Sequence, residues 1–190
     1  MVEGIVASCG RLTILSEFVA RTNCGVPVRL GILSDTHDEL ARTKRAIDLL
    51  WARGAQGLVH CGDLFSPAIV EACSVLPSWF VLGNHDADNV PLLEEAAQKT
   101  GVTCLGWTGI IHLDDKLIAV AHGHMTYDIR RALAQRPHYL LTGHSHIAHD
   151  RMEGLVRRIN PGALAEADEY SVALLDLEAE QLEFIRIDAD

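Results

Sequence analysis

Apolar residues along the chain gather in short continuous runs, which alternate with stretches where they recur every third or fourth position. Residues 28–33, 57–61 and 78–82 are such runs, and runs of this length predict strands buried on both faces. Between the first two, residues 39–53 carry the spacing of an amphipathic helix. A second helix is predicted to open at Pro67, because proline suits the first helical turn, with Ser66 as its N-cap. Further helices are predicted over 90–99 and 127–135. This alternation is the rhythm of βαβ units, in which crossover helices join parallel strands.

The pattern changes downstream. Residues 110–113 and 116–121 predict a hairpin that turns at Asp114 and Asp115, and 138–141 a short strand. Beyond His149, strand-like segments follow at 155–159, 171–177 and 181–187 with turn residues between them. The expected fold class is therefore α/β, helix-rich early and β-rich late. A single domain over 28–190 is expected, because no repeat or linker divides the sequence. Residues 1–27 show no clean period and are taken as an N-terminal extension of unassigned role.

The polar residues are not spread evenly over this scaffold. Five clusters follow directly on apolar runs: Ser34, Asp35, Thr36 and His37; Gly62 and Asp63; Gly83, Asn84, His85 and Asp86; His122, Gly123 and His124; and Gly143, His144, Ser145 and His146. Loops at the carboxyl ends of strands in an open α/β sheet share one crevice, so these clusters can converge. Imidazoles and carboxylates together give nitrogen and oxygen donors for a divalent metal such as Mn, Fe or Zn. The glycines before Asp63, Asn84 and His144 are expected to permit the tight turns that aim the side chains. Each cluster alone has an ordinary reading as a helix cap, a turn or a surface loop. Together they hold six of the ten histidines, all at strand ends, which points to one metal site.

Composition narrows the class further. Apolar residues make up 48% and charged residues 22% of the 190 positions, ordinary usage for a globular protein. No apolar run approaches the roughly 20 residues that cross a bilayer, so no membrane partner is expected. The net charge of −10 disfavours a nucleic-acid duplex held by phosphate neutralisation. Residues 163–190 hold nine acidic residues against Arg186 alone, or −8 of that total, and read as an exposed strand face. The rest of the chain is nearly neutral and admits an anionic substrate. Five irregularly spaced cysteines (Cys9, Cys24, Cys61, Cys73 and Cys104) give neither a disulfide framework nor a zinc knuckle. They fit a cytoplasmic protein, and the first residues lack the basic region of a signal peptide.

The remaining polar candidates are less specific. His60 and His112 read as packed strand residues, His138 and His149 as loop or strand-edge positions. Arg130, Arg131, Arg151, Arg157 and Arg158 suit phosphate recognition, and equally suit solvated faces.

In their order and spacing the five clusters resemble the calcineurin-like metallophosphoesterase superfamily, whose pattern runs D-x-H, G-D, G-N-H-[DE], H and G-H-x-H. The chain's size, with Asn160, Pro161 and Gly162 followed by 170–175, is similar to the small YfcE-type phosphodiesterase branch. The resemblance implies a four-layer αββα sandwich with two mixed sheets and two metal ions at the strand ends, manganese favoured over Zn, Fe or Ni. It would assign Asp35, His37, Asp63 and His146 to one ion and Asp63, Asn84, His122 and His144 to the other, with Asp63 as the bridge. A two-metal site can lower the pKa of a shared water and clamp phosphoryl oxygens, so a metal-bridging hydroxide would attack phosphorus in line. His85 would act on the leaving group with Asp86 holding its ring, and His124 would touch phosphate or support a ligand.

The expected activity is hydrolysis of a small phosphodiester. A phosphomonoesterase on the same site, a Vps29-like non-catalytic scaffold and a mononuclear zinc hydrolase are the alternatives, and a homo-oligomer is compatible with each.

Overall fold

The computed structural model describes residues 29–188. The expected extension over 1–27 lies outside the described residues. The chain begins with β1 (Arg29–Leu33), α1 (Leu40–Ala52), β2 (Gly57–His60), α2 (Pro67–Cys73) and β3 (Ser78–Phe80). A 3₁₀ segment (Asn84–Asn89), α3 (Val90–Thr100) and the two-residue β4 (Thr103–Cys104) complete this half. Then come β5 (Thr108–Leu113), β6 (Lys116–Ala121), α4 (Thr126–Ala134), β7 (Tyr139–Leu141), β8 (His149–Glu153), β9 (Val156–Asn160), β10 (Tyr170–Asp176) and β11 (Gln181–Ile187).

Two mixed sheets result, in the orders β11-β10-β1-β2-β3-β4 and β5-β6-β7-β9-β8. Strand periodicity builds the layers, because successive side chains point to opposite faces. Leu30, Ile32, Val59 and Cys61 from the first sheet meet Ile118, Val120, Tyr139 and Leu141 from the second in a central core. The intervening Leu33 and Leu58 turn outward onto Ala46, Ile47 and Leu50 of α1. Ala119 and Leu140 likewise turn outward onto Ala132 of α4. The layers therefore run helix, sheet, sheet, helix, as the resemblance implied. Gly31 allows α1 this close: a Cβ there would stand 2.8 Å from Leu58 Cδ2 and 3.0 Å from Leu50 Cδ1.

Several expectations need correction. Pro67 does open α2, but the Ser66 side chain makes no cap; its hydroxyl donates to Asp38. His112 is exposed rather than packed, because β5 is the outer strand of its sheet and alternates its buried face onto Ile111 and Leu113. Arg157 is engaged within the fold: Nε and Nη2 reach the Asp150 carboxylate at 2.8 and 2.7 Å. The acidic segment is not simply solvated, since Arg29 pairs with Asp176, Arg53 with Glu183, Lys116 with Glu180, and Arg186 with Glu169. Strand β8, whose sequence is His-Asp-Arg-Met-Glu, and the short β4 were not predicted. Among the described residues no helix is long and apolar enough to cross a membrane.

Candidate metal centre

The five polar clusters leave the carboxyl ends of β1, β2, β3, β6 and β7. Strands β1, β2 and β3 are mutually parallel, as are β6 and β7, so within each sheet the loops exit on one side. Backbone bonds then tie neighbouring loops: Asp35 N–H donates to Gly62 O at 3.0 Å, Thr36 and His37 N–H to Asp63 O, each at 3.1 Å, and Gly143 N–H to His122 O at 2.8 Å.

This brings all seven predicted ligand residues together. Donor atoms of Asp35, His37 and His146 lie within 4.8 Å of one another, as do those of Asp63, His122 and His144. A third set of the same compactness joins His37, Asp63 and His85. Asp63 Oδ2 stands 3.2 Å from His122 Nε2 and 3.7 Å from His37 Nε2. Asn84 Oδ1 lies 3.1 Å from His122 Nε2, and Asp35 Oδ1 lies 3.2 Å from His146 Nε2. His37 Nε2 is buried and has no hydrogen-bond partner. Such an orphaned nitrogen facing carboxylates is what a ligand awaiting a cation looks like.

Two imidazoles are oriented from behind. His122 Nδ1–H donates to Cys61 O at 2.8 Å and His146 Nδ1–H to Glu166 O at 2.9 Å. A carbonyl can only accept, so each bond fixes the proton on Nδ1 and leaves Nε2 facing the carboxylates, the support that metal-ligating histidines need. His122 is buried in the cluster. His124 belongs to none of the compact donor sets; its ring lies 5.4 Å from that of His122 and 6.0 Å from that of Trp107.

Electrostatics follow from this packing. Burial would raise the Asp63 carboxyl, but the hydrogen bond and charge of His122, helped by His85 N–H and His37, bring it down to about 2. Burial would lower His122, but Asp63 and Asp35 outweigh that and hold it above its ordinary value. His144 and His124 are pushed down by partial burial and by neighbouring His122, so both stay neutral and able to donate a lone pair.

Asp86 does not hold the His85 ring. It is fully buried, and its carboxylate accepts the N–H groups of Asp63 (2.9 Å), Gly83 (2.8 Å) and Phe65 (2.7 Å). It therefore fixes the loops that present Asp63 and Asn84. His85 is exposed, bonds Asp63 Oδ1 through its backbone N–H at 2.9 Å, and sets its ring 5.0 Å from that of His37. The glycine expectation also changes. Gly62 has φ of +103°, but Gly83 has φ of −103°, and its need is space: a Cβ there would stand 2.5 Å from Asp63 N.

Sequence reasoning missed three supports. Buried Asn160 donates to Gly143 O at 2.8 Å and Ser145 Oγ at 3.1 Å, bracing the loop of His144 and His146. His60 accepts Gly62 N–H on Nδ1 and reaches Thr36 Oγ1 through Nε2, and Thr36 donates to Asp63 O. Burial lowers the His60 pKa to about 3, so this link stays neutral. Backbone strain is the third: Asp35, His37, Asp63, His144 and His146 all have positive φ, between 40° and 67°. Asn160 was visible beside Pro161 and Gly162, whereas the strain leaves no sequence signal.

A four-layer αββα sandwich with this carboxylate and imidazole centre defines a metal-dependent phosphoesterase. Residues 28–180 match the calcineurin-like phosphoesterase superfamily domain, and the chain belongs to that superfamily. It is similar to a protein of Methanocaldococcus jannaschii named Phosphodiesterase MJ0936, 25% identical over 138 residues that cover 71% of this chain and 83% of the relative. The structure of an archaeal phosphodiesterase superposes with a TM-score of 0.76 at 23% identity, over 84% of this chain and 100% of the other. That of YfcE, a phosphoesterase from E. coli, gives 0.63 at 22% identity, over 85% and 100%. Vps29 from Entamoeba histolytica shares the fold at 0.56 and 17% identity, over 85% and 100%.

Proposed function

We propose that the protein is a dinuclear phosphodiesterase, with one divalent ion held by Asp35, His37, Asp63 and His146 and a second by Asp63, Asn84, His122 and His144. The observation that carries this reading is the Asp63 carboxylate, which lies within reach of both imidazole groups at 3.7 Å from His37 Nε2 and 3.2 Å from His122 Nε2. An anionic bridge offsets repulsion between two dications, which a neutral amide would not do. Nitrogen and oxygen donors without a thiolate suit Mn, Fe or Zn; the family resemblance favours manganese among them, with Zn, Fe or Ni as substitutes. When bound, such a pair supplies Lewis acidity to the phosphoryl oxygens and a water of lowered pKa.

The chain's own residues supply the rest. Neutral Asn84 limits the ligand charge, so the centre keeps its attraction for an anionic ester. Exposed His85 would pass a proton to the departing alkoxide. His124, kept neutral, would donate a hydrogen bond to phosphate. Asp86 and Asn160 position ligand-bearing loops. The diester preference draws on the printed activities of the relatives; a monoesterase would use the same centre with different walls. A scaffold role would tolerate loss of ligands, and all seven are present. Free thiols at Cys61, Cys73 and Cys104 support a cytoplasmic setting.

The test is metal-stripped protein reconstituted with Mn²⁺, Zn²⁺, Ni²⁺ or Mg²⁺ and assayed on bis(aryl) phosphate and aryl phosphate. The expected result is two ions per chain, preference for the diester, and no turnover by Asp63→Asn, which also loses bound metal. One ion per chain in active enzyme, or an active Asp63→Asn, refutes the dinuclear reading.

A further inference from the structure

A cavity of about 370 Å³ opens beside the metal centre, walled by His144, Ser145, Ile147, His149, Arg151 and Arg158. Part of its wall is the loop that carries His144; another part is formed by β8 and β9 at the sheet edge. Register puts Arg151 directly opposite Arg158 across these antiparallel strands. Like charges in directly opposed positions destabilise a strand pair, so this pairing calls for an anion. Within the fold one carboxylate answers both: Glu153 lies 3.9 Å from Arg151 Nη2 and 3.4 Å from Arg158 Nη1. Asp150, the other carboxylate nearby, is held by Arg157 through two bonds. His149 donates from Nδ1 to Ile147 O, and burial with the two arginines keeps its pKa low, so it adds no compensating charge. Two guanidinium groups against one carboxylate leave a net positive charge. Arg158 is the more costly of the two, since its side chain is 18% exposed and its buried Nε has no hydrogen-bond partner.

We propose that this cavity seats one ester arm of the substrate and that Arg151 and Arg158, opposed across β8 and β9, bind a carboxylate or phosphate carried on that arm. The inference rests on the phosphoester reading of the adjoining centre and narrows its substrate class to esters with a second anionic group remote from the reacting phosphorus. Guanidinium forks match both anions bidentately, and the exposed Ile147 gives the intervening carbons an apolar wall.

Binding is measured calorimetrically on metal-loaded protein with methyl(alkyl)phosphinate anions, whose two P–C bonds hydrolysis does not cleave, their alkyl arms of three to five carbons ending in a carboxylate or in its methyl amide. Turnover is measured with p-nitrophenyl phosphodiesters of the same arms. The carboxylate arm is expected to bind about tenfold more tightly than the amide, the order of one charge-assisted hydrogen-bond pair. The exposed Arg151→Gln should shrink that ratio and Arg151→Gln with Arg158→Gln should bring it to one, while Arg157→Gln, on the opposite face, keeps it. Equal binding of the two arms by the parent, binding of neither, or a ratio that survives in the double variant overturns the subsite. A tenfold ratio without turnover of any diester leaves the subsite standing and refutes the phosphodiesterase reading; turnover with a ratio of one does the reverse.

Discussion

Asp86→Asn separates two roles for a residue beside the centre. In the structure Oδ2 accepts N–H groups from Asp63 and Gly83 while Oδ1 accepts that of Phe65. An asparagine can keep its oxygen on the first two, but its NH₂ group then faces the Phe65 N–H, donor against donor. The change removes one charge-assisted bond, weakens two more and leaves a part-buried donor unpaired, which sums to roughly 2–4 kcal/mol. Burial raises the Asp86 pKa against the pull of these N–H groups, so neutralising the site returns part of the desolvation cost and favours the lower end. With a urea slope of about 2 kcal/mol per M, the midpoint of metal-free protein should fall by roughly 1 M. The variant should also bind metal more weakly, because Asp63 N is one of the released groups, and should lose rate equally on aryl and alkyl diesters. An unchanged midpoint with a selective loss on alkyl diesters would instead mean that Asp86 works through the His85 ring, and this account would be wrong.

Three other outcomes follow from the same geometry. His85→Ala should slow an alkyl diester on the order of 10²-fold or more, the usual worth of a proton donor, and an aryl diester far less; equal alkyl rates for parent and variant would remove His85 from the chemistry. Gly83→Ala, whose Cβ would meet Asp63 N at 2.5 Å, should give folded protein with depleted metal, read by elemental analysis. His122, held above its ordinary 6.5, stabilises metal-free protein below that value and ceases to do so as pH rises through the folded pKa. The same proton occupies Nε2, so metal affinity should climb with pH over that window and level off above it; a titration flat from pH 5 to 8 would contradict the assignment.

How far the fold could be read from sequence depends on where each strand lies. Strands β1 and β2 were legible because both faces are buried, one on the second sheet and one on α1, so their apolar runs are unbroken. Strand β8 was not, because at the sheet edge its five residues carry no core side chain and its order comes from pairing with β9. Proline gave the start of α2 correctly, since its effect is local. The partner of Ser66 is Asp38, 28 positions away, and no local rule could have found it.

The centre was legible in kind and illegible in aim. Carboxylate and imidazole residues after apolar runs name the donors one at a time, and the structure brings most of them into compact sets linked through His37 and Asp63, while Asp86 and His124 stay outside. What points them inward is the left-handed backbone at Asp35, His37, Asp63, His144 and His146. For residues with a Cβ that conformation costs on the order of 1–2 kcal/mol each, and it persists only where surroundings over-determine it. Here the surroundings are other loops: Gly62 O receives Asp35 N–H, Asp63 O receives those of Thr36 and His37, and the Asp35 carboxylate receives that of His144 at 3.0 Å. Each loop is thus held in its strained form by a neighbour that is itself strained. The donor geometry is a joint property of the loops, so a change in any of the ties should loosen ligands on both sheets, including ones far from it in sequence.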